Sequence, residues 1–208
     1  MQYLKEKIKT SYEDAELTGY VLDNSPEIDE NRVRPAVIIC PGGGYKMVSE
    51  REGEPIAVKL LGMGAQAFVL NYSCMPVHHP AQLAQLATAV KMVRDNAAQW
   101  HVDPNKIIVM GTSAGGHLAG MLATMWNSQT IKDLGFDPED VKPNGLIMGY
   151  SVVTADQQFG HQGSFDHLLG EDATPEEREK LSLQKHVSKD TPMAFIWTTT
   201  EDTTVPME

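Results

Sequence analysis

Five short, nearly continuous apolar runs punctuate the chain: Ala36-Val37-Ile38-Ile39-Cys40, Ala65-Gln66-Ala67-Phe68-Val69-Leu70, Ile107-Ile108-Val109-Met110, Gly145-Leu146-Ile147-Met148 and Met193-Ala194-Phe195-Ile196-Trp197. A strand covered on both faces has no reason to alternate, so runs of this length predict strands inside a parallel sheet. The N-terminal region differs. Residues 3–8 and 17–22 alternate apolar with polar and predict two antiparallel edge strands, joined to the first run by the polar segment 23–34. Between the runs the period becomes helical. Leu83, Leu86, Val90, Val93 and Ala97 form one stripe in a helix predicted over 81–100, which ends before the turn Asp103-Pro104-Asn105. Thr174-Pro175-Glu176-Glu177 offers an N-cap, a first-turn proline and a reciprocal glutamate, which predicts a short helix. Strand and helix in alternation give an α/β fold, a mostly parallel sheet with crossover helices on both faces.

Composition narrows the partners. The 208 residues suffice for one core and show no second domain, so 1–208 reads as a single unit. A formal charge of -11 and a pI near 5.0 exclude nucleic acid or an anionic membrane as the main partner. Met1-Gln2-Tyr3-Leu4-Lys5-Glu6-Lys7 has no long apolar stretch behind it, so neither a signal peptide nor a membrane anchor is expected and the expected location is cytoplasmic. Cys40 and Cys74 lack metal-ligand spacing and read as free, buried thiols.

The candidate chemistry sits where apolar runs end. Ile107–Met110 breaks into Gly111-Thr112-Ser113-Ala114-Gly115 and restarts as the helix-forming Leu118-Ala119-Gly120-Met121-Leu122. A serine on a sharp strand-to-helix turn, with glycines two residues either side, makes Ser113 a candidate nucleophile, and the following helix N-terminus favours developing negative charge. After the first run comes Cys40-Pro41-Gly42-Gly43-Gly44-Tyr45. Three glycines let backbone N–H groups approach a substrate oxygen, and the loop lacks the spacing of a phosphate-binding motif, so it reads as an oxyanion loop. Asp202, directly after the last run, is placed to orient a catalytic histidine.

Taken together these blocks resemble the α/β-hydrolases of the lipase/esterase branch that includes acetyl esterases and acetylxylan esterases. The resemblance runs almost end to end. It also rests on Tyr72-Ser73, Pro80-Ala81-Gln82-Leu83, Val102-Asp103-Pro104-Asn105-Lys106, Gly116-His117-Leu118-Ala119, Ser164-Phe165-Asp166-His167-Leu168-Leu169-Gly170 and Asp202-Thr203-Thr204-Val205-Pro206. It implies Ser113 as nucleophile, Asp202 as triad acid and the amides of Gly43, Gly44 and Ala114 as the oxyanion hole. Tyr45, His79 and His161 are the expected pocket-lining residues. The implied partner is a small-molecule ester, and no cofactor or metal is implied. Pro41 stands where many relatives carry histidine, and Thr198 replaces a histidine often found after the strand tryptophan.

The same resemblance puts the general base on a loop one helix and one strand beyond the acid, and Val205-Pro206-Met207-Glu208 should only start that helix. The expected fold therefore lacks the last strand and helix, and no histidine is assigned as base. His117 reads as a packing and hydrogen-bonding residue. The run 193–197 is expected to form an exposed edge, with a homodimer, a swapped arrangement or poor solubility as the consequence. A serine ester hydrolase acting on short acyl esters, acetylated sugars among them, is the leading functional expectation. The rivals are a non-catalytic α/β-hydrolase-like protein and a serine peptidase of the same fold.

Overall fold

The computed structural model describes residues 1–207 and places seven strands in one sheet, in the order β1-β2-β4-β3-β5-β6-β7. The strands are β1 (Gln2–Ile8), β2 (Ala15–Val21), β3 (Arg34–Cys40), β4 (Gln66–Asn71), β5 (Val102–Thr112), β6 (Gly145–Gly149) and β7 (Ala194–Trp197). Pairing is antiparallel from β1 through β2 to β4 and parallel across the rest. The two alternating segments are thus neighbours, as their pattern predicts, but only β1 is an edge. β2 lies between β1 and β4, which explains why Leu17, Tyr20 and Val21 are all buried.

Among the described residues seven α-helices connect the strands: α1 (Glu54–Gly62), α2 (Ala81–Asp95), α3 (Ser113–Met125), α4 (Gln129–Asp133), α5 (Pro138–Val141), α6 (Gln162–Leu169) and α7 (Pro175–Glu179). The pleat of β3 divides the core. Ile38 and Cys40 point to the face covered by α2 and α3, whereas Val37 and Ile39 join Ala57, Ala65 and Ala67 beneath α1. α7 begins with the reciprocal cap of Thr174 and Glu177 that the sequence predicts. α2 stops at Asp95, five residues before the sequence pattern does. There the Asn96 amide folds back on the Met92 carbonyl, and a turn carries Trp100 under the sheet against Phe68, 5.2 Å between ring centroids. The turn expected at 103–105 is a bulge within β5: Arg34 pairs with Val102, but Ala36 pairs with Ile107. Residues 205–207 form no helix, and Glu208, the last residue of that expected start, lies outside the described residues.

At the far end of the sheet all four residues of β7 are exposed, with Phe195 and Ile196 at 64% and 65%. Phe195 borders an open apolar groove of about 430 Å³ shared with Ile108, Ile147 and Met193. Cys40 is buried and Cys74 partly so, both as free thiols. Among the described residues no helix is long and apolar enough to cross a membrane. An exposed edge with this much apolar surface invites self-pairing. Sedimentation of the 208-residue chain should show dimers or larger species. Phe195→Glu should shift it to monomer while changing unfolding free energy by only about 0.5 kcal/mol, as expected for an exposed side chain.

Candidate functional site

β3 and β5 are neighbours in the parallel part of the sheet, so the segments leaving their C-terminal ends emerge side by side. From β5 the chain turns directly into α3. Thr112 is still extended, and Ser113 then takes φ 51°, a left-handed conformation costly for a residue with a Cβ and kept only where its surroundings enforce it. The glycines explain the enforcement. A Cβ on Gly111 would strike the Gly115 carbonyl, and a Cβ on Gly115 would strike the carbonyls of Cys40 and Pro41. Any side chain there would separate α3 from the strand ends and relax the turn. Ser113 is half-buried. Ala114, the second helical residue and fully buried, has a first-turn amide without an intrahelical acceptor.

From β3 the chain enters the glycine loop. Gly43 and Gly44 have φ 128° and 64°, values open to glycine at little cost, and Tyr45 follows at 58°. Every carbonyl from Pro41 to Gly44 is engaged. Pro41 accepts from the Tyr72 hydroxyl (2.6 Å), Gly42 from Ser49 N–H (2.9 Å), Gly43 from the amides of Lys46 and Met47, and Gly44 from the His167 ring (2.8 Å). The loop is held by its acceptors, whereas the Gly43 and Gly44 amides donate to no group among the described residues. Such paired, unspent donors beside a helix N-terminus can take up a negatively charged oxygen.

Both segments open on one cavity of about 870 Å³ whose lining includes Gly43, Gly44, Ser113, His161 and Asp202. Asp202 reaches it from the loop after β7. Its Oδ1 accepts from the amides of Thr204 and Val205, both at 2.9 Å, which leaves Oδ2 available. His161 caps α6, its Nδ1 accepting from the Ser164 amide. The structure therefore brings Ser113, Asp202, Gly43, Gly44 and His161 to one cavity. Two expected lining residues are elsewhere. Tyr45 is buried beneath the loop, where its hydroxyl meets His117 Nδ1 at 2.8 Å. His79 lines a different cavity, of about 750 Å³, with Met125, Leu169 and Leu181, because the turn before α2 runs along α6 rather than over Ser113.

His117 has both nitrogens occupied. A carbonyl only accepts, so Nε2–H donates to Leu181 O (2.8 Å) and Nδ1 accepts from Tyr45. Complete burial lowers its pKa to about 4, and burial lowers that of His79 to about 4 as well. With no free lone pair, His117 serves the packing under the loop, flanked by Tyr45 and Phe165. Glu52, Tyr150 and His167 also line the cavity, and the sequence alone gives none of them a role in it. Glu52 and Tyr150 lie in segments without a motif. His167 falls within the segment Ser164–Gly170 that carries the resemblance, but only the fold shows its ring against Gly44.

A family model described as BD-FAE matches residues 24–208. The chain is 37% identical over 182 residues to endo-1,4-beta-xylanase B of Butyrivibrio fibrisolvens, a match covering 84% of this chain and 28% of that protein. It is 32% identical over 184 residues to an acetylxylan esterase of Xylanibacter ruminicola, covering 86% of this chain and 36% of that protein. The chain thus spans about a third of the length of these two relatives. Among solved structures it is similar to an acetyl ester-xyloside bifunctional hydrolase from Caldicellulosiruptor lactoaceticus, with TM-score 0.81 and 37% identity over 92% of this chain and 68% of that one. A carboxylesterase from Lactobacillus plantarum superposes with TM-score 0.85 and 28% identity over 99% of this chain and 74% of that one.

The buried His117 makes stability depend on pH. Unfolded, the ring takes a proton near its ordinary 6.5; folded, it resists down to about 4, so the unfolded state binds more protons between these values. Stability should therefore fall as pH drops from 6.5 towards 4, by up to about 3 kcal/mol from this group, with His79 acting in the same direction. Urea midpoints measured from pH 7 to pH 4.5 should fall less steeply in His117→Gln, which keeps a donor and an acceptor but does not titrate.

Proposed function

The chain belongs to the BD-FAE family and has the esterase-like α/β-hydrolase fold, and on that premise we propose that it is a serine carboxylic ester hydrolase working through an acyl-enzyme. The observation that carries this reading is the shared cavity: Ser113, held at a left-handed turn, faces the same space as the unspent Gly43 and Gly44 amides and the open oxygen of Asp202. Short acyl esters, acetyl esters of sugars above all, are the proposed substrates. The names of the acetylxylan esterase and acetyl ester-xyloside hydrolase relatives support this choice.

In the proposed reaction Ser113 Oγ attacks the ester carbonyl, and the carbonyl oxygen gains negative charge against the amides of Gly43, Gly44 and Ala114. Collapse expels the alcohol and leaves an ester on Ser113, which water then cleaves. A histidine held by Asp202 Oδ2 would carry the proton from Ser113 to the leaving alcohol. Among the described residues no histidine bonds to that oxygen. His161 and His167, the histidines lining the cavity, are committed at Nδ1 to Ser164 and to the Gly44 carbonyl. That observation sustains a second reading, a non-catalytic form of the fold.

Fluorophosphonate labelling and p-nitrophenyl acetate hydrolysis separate the two. The esterase reading expects labelling of wild type, slow without a base and faster with added imidazole, and none of Ser113→Ala. With no base positioned, turnover by residues 1–208 should be about a thousand-fold over water, the part supplied by binding and the oxyanion hole. Added imidazole should raise the Ser113-dependent part. Equal rates and equal labelling in wild type and Ser113→Ala, with or without imidazole, would establish the non-catalytic reading.

A further inference from the structure

Pairing between β3 and β5 ends at Cys40 and Gly111. Beyond that point the glycine loop and the serine turn share no backbone hydrogen bond among the described residues. The Glu52 carboxylate bridges them. It closes the single 3-10 turn Glu50–Glu52, and its Oε2 accepts from the Gly42 amide at 2.7 Å and from the Thr112 hydroxyl at 2.8 Å. Its Oε1 accepts from the Tyr150 hydroxyl at 3.2 Å. Gly42 opens the loop, Thr112 immediately precedes Ser113, and Tyr150 follows β6 at φ 36°, its ring packed edge-on against Trp197. Three segments that are far apart in sequence and border the cavity thus converge on one side chain.

The packing leaves no slack. A Cβ on Gly42 would lie 2.6 Å from Glu52 Oε2, 2.9 Å from the Thr112 carbonyl and 3.0 Å from Ser113 Cβ. A hydrogen bond to a charged acceptor is shorter and stronger than a neutral one, and here one carboxylate oxygen draws the loop and the turn together. We propose that Glu52 is a positioning residue for the ester-hydrolase reaction: it sets the spacing between Ser113 and the Gly43–Gly44 amides without itself touching the reacting atoms. The proposal rests on the ester-hydrolase reading above. Transition-state stabilisation falls off steeply when donors miss the developing oxyanion by fractions of an ångström, whereas ground-state binding in a wide cavity does not. Loss of Glu52 therefore acts on kcat and spares KM. Glutamine suits the same place, since its amide oxygen can serve Gly42 and Thr112 while its NH2 group donates to Tyr150.

The test compares wild type, Glu52→Ala and Glu52→Gln by p-nitrophenyl acetate turnover, per site titrated with fluorophosphonate, and by amide exchange across residues 41–47 read by mass spectrometry. Glu52→Ala should lower kcat about 100-fold with KM within about twofold and accelerate exchange in 41–47, whereas Glu52→Gln should stay within about tenfold of wild type with slow exchange. A Glu52→Ala protein that melts earlier but keeps kcat per titrated site would overturn the proposal. So would equal kcat losses in both variants with exchange unchanged. If wild type turns over no faster than Ser113→Ala, the ester-hydrolase reading is what fails. Exchange across 41–47 then decides separately whether Glu52 holds the loop.

Discussion

The close passage of α3 over the ends of β3 and β5 governs everything at this site. Gly115 lies against the carbonyls of Cys40 and Pro41, and Gly111 against the carbonyl of Gly115, at separations that admit no Cβ. Because the helix can come that near, the turn into it must be tight, and Ser113 is driven to positive φ. Because the same contact presses on Pro41, the loop that follows leaves β3 alongside the serine rather than away from it. Parallel neighbours β3 and β5 supply the coarse alignment, and the glycines bring the two segments to atomic proximity.

Beneath this contact lies a second, aromatic layer. Tyr72 holds the Pro41 carbonyl, Tyr45 turns inward to His117, and Phe165 packs against the far side of that ring. The polar atoms of this layer are satisfied inside the protein, so the loop stands on a base that is buried and fully bonded. The exposed loop tip and its hidden foundation are consequently one structure.

Much of this was legible in the chain. Continuous apolar runs announce strands covered on both faces, and the serine motif between such a run and a helix former announces the turn, because both depend on local pattern. What escaped depends on partners far along the sequence. The alternation in 17–22 looks like an edge strand, yet β4 supplies a second neighbour. The helical stripe continues to Ala97, yet Asn96 ends α2 with a side-chain bond that the stripe does not encode. Tyr45 and His79 stand next to motif residues in sequence, a position that suggests cavity lining, yet one faces inward and the other opens on another cavity. Glu52 sits in Arg51-Glu52-Gly53-Glu54, an ordinary charged stretch until the fold delivers Gly42, Thr112 and Tyr150 to it.

A loop anchored through its carbonyls also separates two properties that enzymes often evolve together. The peptides that carry the Gly43 and Gly44 amides are held at their carbonyls, Gly42 O by the Ser49 amide and Gly43 O by the Lys46 and Met47 amides, so their direction is set by backbone bonds and not by the side chains of the outer wall. Met47 and Lys46 border the same cavity with exposed side chains that take no part in that anchoring. Drift at those wall positions would reshape which molecule fits while leaving the donors where they are. A lineage built on this scaffold is thus free to change what the cavity admits by surface substitution, with the geometry of the serine turn and the amides inherited unchanged.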